Sequence, residues 1–409
     1  MRAFNPTAPA IEVIRAGLIV EDLHQSLHKN LAARADLEPG SQQLIVGGIG
    51  SGKTTELLLA SGLLSQSGKT LPLYIDVTSE TDLSELNSGA LVASFGLRLA
   101  ASVLQRNVES ILSEAENSDL KAKHQAIKDF AYGKTELKWV SEDDDDYVYD
   151  PDDDQGDPEP PEGYFVQHRT EGKLKRPFPA LKREIQEIRE PLGAFIAALK
   201  QLGLEVVAVF DGLDRLIQPD KFWAVVEQDL RSLRRLGVSV LVTAPISVLY
   251  GVGRSITDYF DKVHHLAVIA TEPKYLTSLH SLLQKRGSAA LLDSDLAGRI
   301  CYASGGVLRD LITLARDSGE DAYISGFEMV HNENVEKAVF QLGTAYRRGL
   351  GPEQIKVLNQ LSKKGSFNPT STVSVELLVT RRVLEYSATD FRIHPSLSPL
   401  LQESNGEHA

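Results

Sequence analysis

One cysteine, Cys301, stands in 409 residues, which excludes an intrachain disulfide and any cysteine-rich zinc site. No run of the sequence approaches the roughly 18–20 apolar residues that a membrane-crossing helix needs. The first residues, MRAFNPTAPAIEVIRAGLIVED, lack an apolar core followed by a small-residue cleavage site, so they do not read as an export signal. No self-similarity of solenoid period is visible, which excludes a repeat array. These absences together predict a cytoplasmic protein with no membrane partner. A mass of 44.8 kDa and 42% hydrophobic residues then allow two or three domains with a sizeable core.

Charge is present but unevenly placed. The net charge is −13, yet 12 of the acidic residues lie between Glu142 and Glu162, where there is no Lys or Arg. Without that stretch, 43 basic residues face 44 acidic ones, and the remainder is almost neutral. SEDDDDYVYDPDDDQGDPEPPEG combines charge with Pro and Gly and cannot bury enough apolar surface to order itself. The expectation is a disordered acidic insertion at about 134–175, either a tolerated surface loop or a mask for basic residues. Lys173, Lys175 and Arg176 are the cations it could fold back on.

The apolar patterning alternates between short runs and helical periods. An amphipathic helix is expected over 11–36, then buried strands at 42–48 and 71–77 and a long helix at 84–106. A helix broken near Pro191 follows the insertion, and strands are expected at 205–213, 238–245 and 262–270. Strands alternating with helices predict a parallel sheet covered on both faces. Between the first strand and its helix, Gly47-Gly48-Ile49-Gly50-Ser51-Gly52-Lys53-Thr54 fits G-x-x-x-x-G-K-[ST] at every fixed position. Glycines let backbone N–H groups curl round phosphates, and the helix N-terminus adds a favourable partial charge. The cradle is therefore Gly47, Gly48, Gly50, Ser51, Gly52, Lys53, Thr54 and Thr55. Lys53 is expected on the β- and γ-phosphates, and the Thr54 hydroxyl on Mg²⁺.

A second buried strand, VVAVFD, ends in Asp211, where a carboxylate can orient that Mg²⁺. Many ATPases follow this Asp with a Glu that polarises the attacking water. Here Gly212 stands in that place, so Asp214 becomes the candidate base and slow turnover is expected.

GGIGSGKTT followed by VAVFDGLD resembles the AAA+ and STAND superfamilies of P-loop ATPases, and the D-G-L-D spelling is similar to NACHT-type members. The resemblance covers about residues 10–325. It implies a sensor at the end of the LVTAP strand, Thr243, and a second sensor, Arg309, in SGGVLRDLITLAR. It also implies an arginine finger acting on a neighbouring subunit, for which Arg254 is the candidate, with Arg231, Arg234 and Arg235 as rivals. His394 in RIHP resembles the histidine that STAND winged helices direct at bound ADP, with a packed core histidine as the alternative.

The fold class expected is α/β: a P-loop NTPase parallel sheet with helices on both faces, followed by a helical lid and a C-terminal winged helix. The domains expected are an ATPase core over 1–270, a lid over 271–340 and a winged-helix-like module over 341–409. Arg381 and Arg382 are the few cations near the module's second helix, a poor footprint for DNA phosphates. The function implied is an ATP/ADP- and Mg²⁺-dependent switch that controls self-assembly or an effector partner, in bacterial antiphage defence or signalling. The alternative is a DNA-associated AAA+ ATPase of the origin-recognition or transposition-regulator type, binding DNA through its winged helix.

Overall fold

The computed structural model describes residues 4–20, 23–24, 26–106, 113–141, 148–149, 163–169, 172–174, 179–216, 218–250, 256–287 and 291–401. In chain order its strands are β1 (Gln42–Gly47), β2 (Thr70–Asp76), β3 (Thr135–Ser141), β4 (Val148–Tyr149), β5 (Gly163–Arg169), β6 (Glu205–Asp211), β7 (Ser239–Ala244), β8 (Lys262–Leu266), β9 (Val383–Ser387) and β10 (Asp390–Ile393). The five-stranded sheet has the order β2-β6-β7-β1-β8. β1 runs parallel to both β7 and β8, and β6 parallel to β7. The fold class is α/β, a parallel sheet flanked by helices. β1 and β7 are buried at every residue, as strands covered on both faces must be. None of the described helices is long and apolar enough to cross a membrane.

The chain divides into two compact units, 1–76 with 207–222 and 238–409, and 77–206 with 223–237. In the first unit, helices Leu27–Leu37 and Lys53–Gln66 pack on the sheet through Leu31, Leu57 and Leu64 against Ile45, Val209 and Leu241. A second core joins the helices Pro273–Arg286, Ser294–Ala303, Leu308–Ile324 and Asn332–Arg347 through Leu279, Ile300, Leu311 and Val335. Then come two helices, Pro352–Lys364 and Thr372–Val379, and the antiparallel hairpin β9–β10. The lead-in is not one helix over 11–36. Two helices, Ala10–Arg15 and Leu27–Leu37, are separated at Gly17, which is left-handed (φ 68°) and ends the first.

In the second unit, helices Ala90–Gln105, Glu114–Tyr132 and Arg189–Gln201 pack together, with Phe95, Leu99, Ile127 and Phe195 fully buried. The expected break near Pro191 falls at Ile188, and Pro191 lies in the first turn of the following helix, where its missing N–H costs nothing. The insertion is not disordered throughout. Residues 135–141 and 163–169 pair as antiparallel strands from Thr135↔Arg169 to Ser141↔Gly163, and β4 pairs with β3 at Trp139 and Val140. The β-branched and aromatic residues of TELKWVS and GYFVQHR outweigh the acidic composition between them. The acidic residues 142–147 and 150–162, with Lys175 and Arg176, lie outside the described residues. Lys173 is buried, and its ammonium pairs with Glu184 at 2.9 Å.

Asp229 caps the helix Ala90–Gln105 from another helix. Its fully buried carboxylate accepts the N–H groups of Gly89, Leu91 and Val92 at 2.7, 2.9 and 3.3 Å, satisfying donors that a helix start leaves free. Burial pushes its pKa up to about 7 against the pull of those three donors. The folded chain then holds this proton longer than the unfolded chain, so this group's contribution to stability falls as pH rises from about 4 to about 7. Asp229→Ala should lower stability by about 2 kcal/mol. Asp229→Asn, which cannot ionise, should lose the pH-dependent part, read as urea midpoints that converge on the native ones toward pH 7.

Candidate functional site

β1 delivers the chain to the glycine-rich turn, and the helix Lys53–Gln66 carries it away, with Gly52 in the left-handed region at its N-cap (φ 103°). Gly50 also has a left-handed φ of 84°, and a Cβ there would sit 2.8 Å from Arg309 Cβ. The glycine therefore serves twice. It closes the turn, and it lets the helix Leu308–Ile324 approach the loop.

Lys53 is 96% buried by side chain and donates to Gly47 O at 3.0 Å and Gly48 O at 2.8 Å. Its Nζ also pairs with Asp214 Oδ2 at 2.8 Å. Asp214, expected as the base, is thus engaged by the loop lysine in this state. Asp211 is buried at the end of β6, where Gly212 N–H donates to Oδ1 at 2.8 Å and the Tyr74 hydroxyl to Oδ2 at 2.8 Å. The Thr54 hydroxyl reaches the same carboxylate. Burial pushes the Asp211 pKa up, and the donors from Thr54 and Tyr74 pull against it.

The sheet order places β7 between β1 and β6. Its register sets Val242 beside Phe210 and Thr243 beside Ile45, so Thr243 and Asp211 end neighbouring strands at one level. Thr243 is fully buried, and its hydroxyl has no hydrogen-bond partner among the described residues; the same holds for Ser51 Oγ. A hydroxyl orphaned at a strand end beside a phosphate cradle is a group that a ligand or an ordered water must satisfy.

A cavity of about 610 Å³ is lined by Gly50, Gly52, Lys53, Thr54 and Thr55, by Asp211 and Asp214, and by Arg309, whereas Thr243 and Ser51 do not line it. Among the lining residues that escaped the sequence reading are Tyr74, Asp76, His24, Arg215 and Arg286. His24 lies against Gly52 and Ser51. Burial, eased by a hydrogen bond at Ser51 and then reinforced by Lys53, brings its pKa down to about 4, so the ring is uncharged at neutral pH. No motif spacing marks these residues, because the N-terminal segment and β2 reach the loop only through the fold. Arg254 lies outside the described residues. His394 does not line the cavity.

Arg309 stands in the first turn of Leu308–Ile324, half-buried, with burial and then the neighbouring Arg381 and Arg215 lowering its pKa. Gly306 (φ 81°) precedes that helix, and a Cβ on it would lie 1.7 Å from Ile269 O, so only glycine permits this approach. The next residue, Asp310, points away from the cavity into a polar knot. It accepts from Tyr346 Oη at 2.5 Å and from Arg381 Nη1 at 2.9 Å, with His394 Nε2 at 3.4 Å. Tyr346 stacks on His394 at 4.5 Å between centroids, and the Arg381 guanidinium lies over the Tyr346 ring. Burial works against the charge on Asp310, and the contacts from His394 and Arg381 outweigh it, holding the carboxyl below its usual range. His394 is therefore a buried partner of Asp310.

No family model and no curated protein matches the sequence. Among solved structures, the chain is similar to the Aeropyrum pernix ORC2 protein in its ADP form, at 13% identity over 99% of this chain and 96% of that one, with a TM-score of 0.43. It is similar to the Aeropyrum pernix ORC1 protein in complex with DNA at 16% identity, over 93% of both chains, with a TM-score of 0.41. The Thermotoga maritima RuvB Holliday junction branch migration motor aligns at 13% identity over 91% of this chain and 94% of that one, with a TM-score of 0.36.

Asp310→Ala leaves Arg381, Tyr346 and His394 without their common acceptor. It should cost about 3 kcal/mol, read as a lowered melting temperature, with a larger loss than Arg381→Ala because the arginine keeps more contact with water.

Proposed function

We propose that this chain is a nucleotide-binding P-loop ATPase of the AAA+ class that works as a switch. One observation carries the reading: Arg309 and Asp310 are consecutive, the first lining the phosphate cavity and the second holding Arg381 and His394 of the C-terminal module. A change at the γ-phosphate is thus one residue from a change at that module.

The residues suit ATP and ADP. Backbone N–H groups of Gly48–Thr55 and the helix N-terminus offer donors to phosphate oxygens. Phosphate draws Lys53 from Asp214, and Asp214 then stands free as the acid able to take the proton of an attacking water. The unsatisfied hydroxyl of Thr243, level with Asp211 on the neighbouring strand, supports a sensor role at that end of the sheet. Thr54 and Asp211 supply hard oxygens and no protein cage, the donor set that Mg²⁺ accepts when phosphates complete its shell. Held by Thr54 and Asp211, Mg²⁺ would offset the negative charge of the phosphates. Arg309 contributes a guanidinium from the lid side, suited to a terminal phosphate.

In this reading the nucleotide state sets how the lid and the winged-helix-like module pack, and so controls self-assembly or an effector partner, in defence or signalling as in STAND ATPases. The DNA-associated alternative uses the same core. Against it, Arg381 is spent on Asp310, while Arg382 donates to Tyr346 O at 2.8 Å and Arg348 O at 2.7 Å. DNA binding that falls linearly with salt on logarithmic axes would favour it nonetheless.

Mass and shape in solution, compared with ADP and with a slowly hydrolysed ATP analogue, should differ between the two nucleotides. Lys53→Ala should abolish the difference and weaken both affinities at least about tenfold. Indifference of the native chain to nucleotide would sink the switch. Asp214→Asn should lower turnover by about 100-fold while sparing ADP binding, measured as phosphate release beside calorimetric titration.

A further inference from the structure

We infer that Tyr74 is the positioning residue that makes this site selective for Mg²⁺. The inference rests on the nucleotide-site reading above and extends it to a residue outside both motifs. Tyr74 lies on β2, the strand hydrogen-bonded to β6, which carries Asp211. Its ring packs against the core of Leu57, Val209 and Leu241, which fixes where the hydroxyl can point. The hydroxyl donates to Asp211 Oδ2 at 2.8 Å, while Gly212 N–H holds Oδ1 at 2.8 Å.

A carboxylate on a strand end is free to turn about its last bond. Three donors reach Asp211, the Tyr74 hydroxyl from the neighbouring strand, the adjacent Gly212 N–H and the Thr54 hydroxyl, and the first two, on different oxygens, remove that freedom. Thr54 is itself expected on Mg²⁺, so the lone-pair directions left to the metal are those set by Tyr74 and Gly212. The cavity contains other acids, Asp76 and Asp214, so charge by itself does not choose a cation position. Orientation does. Mg²⁺ tolerates little departure from octahedral geometry, whereas Ca²⁺ accepts irregular shells with variable numbers of oxygens. Outer partners that orient a metal-binding group are typically worth about 10–100-fold in metal affinity. A hydroxyl that only orients Asp211 should therefore matter to Mg²⁺ and little to Ca²⁺.

The test uses the full chain, Tyr74→Phe, and a slowly hydrolysed ATP analogue. Calorimetry first measures the analogue in EDTA, then MgCl₂ and CaCl₂ are titrated into each preformed complex. The expected result is Mg²⁺ affinity weakened about tenfold, with Ca²⁺ affinity and metal-free analogue affinity close to native. Unchanged Mg²⁺ affinity overturns the inference. Equal losses for both metals also overturn it, since they indicate lost charge or lost fold, and so does weakened metal-free binding. Tyr74→Leu, run in parallel with a thermal melt of each variant, must give the same metal selectivity if Tyr74→Phe proves unstable; a Leu variant that retains Mg²⁺ preference overturns the inference too. A native chain that binds no analogue even in EDTA fails the site reading itself, and is distinguished by needing no variant.

Discussion

A buried carboxylate holds only where its partners outweigh the water it gave up, and Asp310 shows how much of this chain hangs on that condition. Its partners come from three separate stretches: Tyr346 lies in the last turn of the helix Asn332–Arg347, Arg381 follows the helix Thr372–Val379, and His394 follows β10. Without the acid, an arginine and a tyrosine hydroxyl would face each other in a water-poor space. The knot is polar, and polar packing is directional in a way that leucine contacts are not. That direction defines where the C-terminal hairpin sits against the helix that presents Arg309.

The charged groups at the glycine-rich turn have partners within the chain, while the hydroxyls of Thr243 and Ser51 have none among the described residues. Lys53 is neutralised by Asp214 and two carbonyls, and Asp211 by two donors and Thr54. Under the proposed function, an incoming phosphate would compete with partners already in place, and its affinity would be a difference between two arrangements.

The P-loop and Asp211 were legible because phosphate chemistry dictates residue type and spacing within a few positions of one strand end. Thr243 was legible through its strand, though its orphaned hydroxyl was not. Tyr74 could not be read: its partner is 137 positions away, and nothing local separates a strand tyrosine that packs from one that positions a carboxylate. Arg381 was read only as one of two cations near the second helix, and the fold pairs it with Asp310. The insertion misled differently, since composition averaged over 134–175 hid alternating β-formers at its two ends. The lead-in helix failed at Gly17, where helical periodicity continued across a residue whose backbone did not.

Arg381 is one of two described non-glycine residues with a positive φ, at 61°. That conformation costs an L-residue about 1 kcal/mol, and the pull of Asp310 offsets it. The left-handed turn at Arg381 and its ion pair are thus one unit: removing the Asp310 carboxylate would leave the backbone strain with nothing to offset it.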